Sequence, residues 1–143
     1  MKLTPLDAPA ILRRYGLRPD KSLGQNFLID EAALQRVVEA SGLQPDESAL
    51  EVGPGLGGLT RQLAQRCRRV VAVELDARLL PALREVIAPF PNVEIIQGDI
   101  LTLDAGRLMT NESPAGEAGY RVVANIPYYI TSALIRRLLR AQD

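Results

Sequence analysis

Four groups of residues in this sequence have the types and spacing to hold a ligand and act on it. The first is Gly53-Pro54-Gly55-Leu56-Gly57-Gly58, directly after an aliphatic run at 48–52. Absent side chains there let backbone amides approach a ligand at a helix N-terminus, the form of a cofactor loop. The second is Glu74, with Leu75 beside it, closing the next aliphatic run. An acid about 20 residues beyond a glycine loop can accept both hydroxyl hydrogens of an adenosine ribose. The third is Asp99 in Gly98-Asp99-Ile100, after a third run, where a carboxylate either hydrogen-bonds an adenine amino group or caps a turn or helix. The fourth, Asn125-Ile126-Pro127-Tyr128, follows a fourth run, where a parallel sheet presents its loops to a ligand. Its simpler reading is a turn fixed by Pro127, with Tyr128 and Tyr129 as ordinary interface aromatics.

What is absent narrows the chemistry. The chain has no histidine, which excludes His-dependent nucleophilic triads and the commonest zinc sites, and no metal is expected. Cys67 is the single cysteine, so no intrachain disulfide can form, and it reads as a passive buried residue. The glycine pattern also satisfies the dinucleotide fingerprint, which keeps a NAD-dependent oxidoreductase open as an alternative. Two features disfavour NAD: a substantial helical segment precedes the first strand, and a second acid, Asp99, follows the third.

The elements that must position these residues follow from hydrophobic period. Strands are expected at 48–52, 70–73, 93–96 and 120–124, alternating with helical segments, which is the signature of βαβ units and a parallel sheet. Crossover helices are expected at 59–66 and 77–88, the second with Leu79, Leu80, Leu83, Val86 and Ile87 at helical spacing and stopped by Pro89 and Pro91. Upstream, Thr4-Pro5 would cap a helix ending near Gly16. Asp30 would cap another, with Leu34, Val37 and Val38 inward and Gly42 at its end. These helices, within 1–47, precede the sheet of 48–143 and would cover the site. A last helix is expected at 131–141, with Leu134, Ile135, Leu138 and Leu139 on one face. Residues 105–119, rich in Gly, Pro, Ser, Asn and Glu, read as a mobile surface loop.

The 143 residues fit one α/β domain, and 47% hydrophobic content suffices to bury a core. No apolar run reaches the roughly 20 residues of a membrane helix, and the start lacks the apolar stretch of a secretory signal, so a cytoplasmic protein without membrane contact is expected. Net charge is zero, so overall charge does not announce a nucleic-acid partner. Arg13, Arg14, Arg18 and Lys21 nevertheless cluster before the first strand, and Arg136, Arg137 and Arg140 on the last helix. Each cluster is a solvated face or an RNA contact.

Leu23-Gly24-Gln25-Asn26-Phe27-Leu28, the stretch from Glu51 to Thr60, Gly98-Asp99-Ile100 and Asn125-Ile126-Pro127-Tyr128, in that order and spacing, resemble the KsgA family of ribosomal RNA adenine dimethyltransferases. The resemblance implies a Rossmann-like fold that binds S-adenosylmethionine, and methyl transfer to the exocyclic amine of adenine. It also implies dimethylation of adjacent adenosines near the 3' end of small-subunit ribosomal RNA, a role in small-subunit biogenesis on a pre-30S particle, and a monomer. It places Asn26 and Leu28 beside the methionine end of the cofactor, with Gln25 and Phe27 shaping that wall, although Phe27 could equally be core. Gly53 and Gly55 would lie beneath the cofactor, with Glu74 on its ribose and Asp99 on adenine beside Ile100. Asn125 would touch the cofactor and, with the Ile126 carbonyl, accept the hydrogens of the target amine, while Tyr128 stacks on an extruded base. Family members carry further strands and a helical RNA-gripping domain, so this chain is expected to be the N-terminal part and inactive alone. The close alternative is an Erm-type enzyme acting on large-subunit RNA; KsgA is favoured by residues 53–60 and Tyr128-Tyr129-Ile130-Thr131. A non-catalytic ribosome assembly factor is the third possibility.

Overall fold

Short aliphatic strands spaced by helical segments bury both faces of a sheet when the strands run parallel and helices cover either side. The computed structural model, which describes residues 2–18, 30–110 and 119–124, has that form. Its strands are β1 (Ser48–Val52), β2 (Arg69–Glu74), β3 (Val93–Gln97) and β4 (Tyr120–Ala124), all parallel, in the order β3-β2-β1-β4. The helices are α1 (Ala8–Arg14), α2 (Glu31–Ser41), α3 (Gly58–Arg66), α4 (Leu80–Ile87) and α5 (Ala105–Thr110). The sequence-derived strands and both crossover helices are therefore present, with bounds moved by a residue or two.

Strand β1 is buried along its whole length, and its alternating side chains feed two cores. Ala49 joins Val70 and Val123 against Leu34 and Val38 of α2 and Leu59, Leu63 and Ala64 of α3. Leu50 and Val52 join Val71, Val73 and Ile100 against Ala105 and Met109 of α5 on the opposite face. Cys67 lies buried in the first core. Burial raises the pKa of its thiol, as expected of a passive residue.

Four expectations are corrected. Helix α1 is capped by Asp7, whose carboxylate accepts from the Ala10 amide at 3.0 Å, not by Thr4-Pro5, and the helix proline is Pro9. Val37 faces outward, 37% exposed, because Leu34 and Val38 already occupy the stripe of α2 that meets α3. The 77–88 helix begins as a single 3-10 turn, Ala77–Leu79, because Pro81 has no amide to give Ala77; Leu80 donates to that carbonyl instead. Finally, 105–110 is helix α5 and not loop. Asp104 accepts from the Arg107 amide at 3.1 Å, and Ala105 and Met109 are buried one turn apart. The remainder of that expected loop and the 131–141 helix lie outside the described residues.

Candidate cofactor site

In an open parallel sheet, ligands bind at the carboxyl ends of the strands, where successive connections leave in opposite directions. Here that point lies at the end of β1, since β2 and β3 lie to one side of it and β4 to the other. The glycine loop begins there. Gly53, Gly55 and Gly57 all take positive φ, at 73°, 59° and 91°. At Gly57 this conformation starts α3, and the close approach of α4 adds a second requirement: a Cβ would come within 2.9 Å of Leu83 Cδ1. Helix α3 has no side-chain N-cap, so glycine backbone lies at its N-terminus.

Glu74 ties the strand ends together. One carboxylate oxygen accepts from the Gly55 amide at 3.0 Å and the other from the Asp76 amide at 2.8 Å. Its own carbonyl accepts from Gly98 at 2.9 Å, and Gly53 donates to the Val73 carbonyl at 3.0 Å. Glu74 is 5% exposed, and burial raises its pKa against the lowering effect of the two amides. Each carboxylate oxygen has a second acceptor site, so two hydroxyls of a ligand can be taken without breaking the loop bond.

Beyond Glu74, Leu75 offers half of its surface to solvent, an apolar patch beside an acid. Asp99 is partly buried, and one of its oxygens accepts from the Leu101 amide at 2.9 Å, so the turn-capping role is present while another acceptor site is left for a ligand. Ile100 is buried in the core under the sheet edge and supports the site from below. Gly53, Gly55, Glu74, Leu75, Asp99 and Ile100 thus gather on one edge. Gln25, Asn26, Phe27, Leu28, Asn125, Ile126, Pro127 and Tyr128 lie outside the described residues.

The N-terminal helices bear on this edge. Ala8 and Ile11 of α1 pack on Leu56 of the glycine loop and on Leu79 and Ala82. Glu31 of α2 accepts from Arg61 Nη2 at 3.2 Å and Gln62 Nε2 at 2.8 Å, fastening α2 to the start of α3. Of the first arginine cluster, Arg14 is paired with Glu85 and lies over the Tyr15 ring, while Arg13 and Arg18 are exposed.

One residue of the site escaped the sequence reading. Glu51 is 1% exposed and its pKa is raised to about 8, chiefly by burial, with a smaller contribution from Glu74; the Thr60 hydroxyl donates to it at 2.5 Å and opposes that rise. The available signal was an acid inside an aliphatic run otherwise suited to a fully buried parallel strand.

The residues present fit S-adenosylmethionine. Bare backbone turns at a helix N-terminus, a ribose-type acid bonded to that loop, an exposed leucine and a second acid match the parts of an adenosyl cofactor. Among the described residues no cluster of three or more metal-ligating side chains occurs, and no helix is long and apolar enough to cross a membrane.

Residues 16–143 match the family model described as ribosomal RNA adenine dimethylase. The ribosomal RNA small subunit methyltransferase A of Shouchella clausii is 46% identical over 136 residues, which are 95% of this chain and 46% of that protein. The chain therefore spans about half the length of such relatives. Among solved structures, the 23S rRNA methyltransferase ErmE superposes with a TM-score of 0.67 at 41% identity, over 81% of this chain and 43% of that one. A dimethyladenosine transferase from Plasmodium falciparum gives 0.58 at 25% identity, over 76% and 36%. With its glycine loop, paired acids and strand order in place, the chain belongs to the ribosomal RNA adenine dimethylase family.

Proposed function

We propose that this chain is the S-adenosylmethionine-binding part of an enzyme that dimethylates the exocyclic amine of adjacent adenosines near the 3' end of small-subunit ribosomal RNA. The observation that carries the reading is the bond from the Gly55 amide to the Glu74 carboxylate, which joins the two halves of an adenosyl site, in a chain of this family. Glu74 holds the ribose, Asp99 the adenine amino group, and Leu75 and Ile100 flank the ring. Gly53 and Gly55 line the floor, and Gln25, Asn26 and Leu28 the methionine end.

When bound, the cofactor supplies a methyl group on a positively charged sulfur that is itself a good leaving group. The adenine amine is a poor nucleophile because its lone pair is delocalised into the ring, so the chain's task is alignment. The Asn125 side-chain oxygen, also near the cofactor, and the Ile126 carbonyl accept the amine hydrogens, and Pro127 fixes the turn that presents them. Tyr128 stacks on the extruded base. No side-chain nucleophile is needed, in keeping with a sequence without histidine.

The domain division follows: 1–47 covers the cofactor and 48–143 forms the methyltransferase core, acting as a monomer on a pre-30S particle in the cytoplasm during small-subunit biogenesis. Labelled S-adenosylmethionine offered to the whole enzyme together with unmethylated small- and large-subunit RNA particles tests this. Label in the small-subunit RNA, released as dimethyladenosine on digestion, is expected. The second reading, an Erm-type enzyme, is favoured by the 41% identity to ErmE; label confined to large-subunit RNA would establish it.

A further inference from the structure

Glu51 and Glu74 lie on the same face of the sheet. Glu51 pairs in register with Ala72 of β2, and Glu74 is two residues further along that strand, which makes the two acids diagonal neighbours under the glycine loop. Both are nearly sealed from solvent. The Thr60 hydroxyl, at the start of α3, meets Glu51 at 2.5 Å and can donate to an ionised carboxylate or accept from a protonated one, so either charge state has a partner. Among the described residues, the remaining neighbours bring no compensating positive charge. Val123 faces Glu51 from β4, Ala72 faces it from β2 with Glu74 diagonal to it as a like charge, and Arg61, next on α3, is engaged with Glu31 of α2.

We propose that Glu51 is a positioning residue of the cofactor site: a buried acid beside Glu74 that gives up its proton to solvent when a cationic cofactor enters, so that the site's charge matches that of its ligand. The inference rests on S-adenosylmethionine being that cofactor. Burial, with the like charge of Glu74 adding to it, keeps Glu51 protonated near neutral pH in the empty site. A sulfonium supplies the missing charge, the Glu51 O–H bond breaks, and the proton passes to the buffer. The product, S-adenosylhomocysteine, is neutral at sulfur and leaves Glu51 protonated. The acid pair thereby favours the methylated cofactor over the spent one.

Calorimetric titration in two buffers of different ionisation enthalpy counts the protons released. With S-adenosylmethionine at about pH 7 and at saturation, the protein is expected to release about half a proton or more beyond the Glu51→Gln variant. With S-adenosylhomocysteine the two should differ little. Equal release by protein and variant, or an equal excess with both ligands, overturns the proposal. Should the variant not fold or not bind, the wild-type affinity for S-adenosylmethionine, relative to S-adenosylhomocysteine, is expected to rise about tenfold between roughly pH 6.5 and 8.5, and a flat ratio overturns it. Binding of neither ligand would instead sink the cofactor assignment, and this proposal with it.

Discussion

The two buried glutamates set the behaviour of the site at the scale of single residues. The Glu51 carboxyl titrates near 8 in the folded chain against an ordinary value of 4.5, so the native state keeps a proton that the unfolded chain loses. Stability from this group is complete below the unfolded value and falls as pH rises toward 8. The loss amounts to about 3–5 kcal/mol across that window. Chemical denaturation of the ligand-free protein should therefore show Glu51→Gln losing markedly less stability than the wild type between about pH 5 and 8; parallel curves would mean that the buried carboxyl is ionised throughout. At this scale the sequence disclosed Glu74 because its distance from the glycine loop is a pattern along the chain. Glu51 stayed hidden because its significance lies in what surrounds it: Thr60 nine positions away and Glu74 on the neighbouring strand.

Among the elements, the contact between the glycine loop and α4 is the least forgiving. Gly57→Ala would add a methyl group 2.9 Å from Leu83 Cδ1 while holding φ at 91°, and we expect a loss of about 2–4 kcal/mol in denaturant unfolding. A loss below about 0.5 kcal/mol would show that α3 and α4 part easily. The strands were legible because β-branched runs in a fully buried sheet leave little ambiguity, and β1 and β4 fall on the residues expected. Helix α5 was missed because its apolar spacing, Ala105, Leu108 and Met109, is only one turn long and precedes a Gly-, Pro- and Ser-rich stretch. The 3-10 turn before α4 was missed because Pro81 had been absorbed into a run of well-spaced leucines, whereas its absent amide dictates the preceding hydrogen bond. Val37 was misplaced because three apolar residues within one turn compete for a stripe that holds two.

For the molecule as a whole, sheet order brings residues far apart in sequence to one edge: Gly53 at the end of β1, Glu74 at the end of β2 and Asp99 after β3. Helix α1 covers the Leu56 side of that edge, which links the N-terminal segment to the site through packing. The roles proposed for residues 25–28 and 125–128 draw on family resemblance, because those stretches of sequence carry no hydrophobic period from which a geometry would follow. The chain spans about half of its relatives' length, so cofactor binding is the property to test before RNA methylation. The most direct measurement is calorimetric titration of this chain with S-adenosylmethionine and, separately, with NAD, repeated on Glu74→Ala after circular dichroism shows the variant folded. Saturable binding of S-adenosylmethionine, weakened about a hundredfold or more in the variant, with no response to NAD, is the predicted result. Binding of NAD alone, or S-adenosylmethionine affinity indifferent to Glu74, would contradict the account.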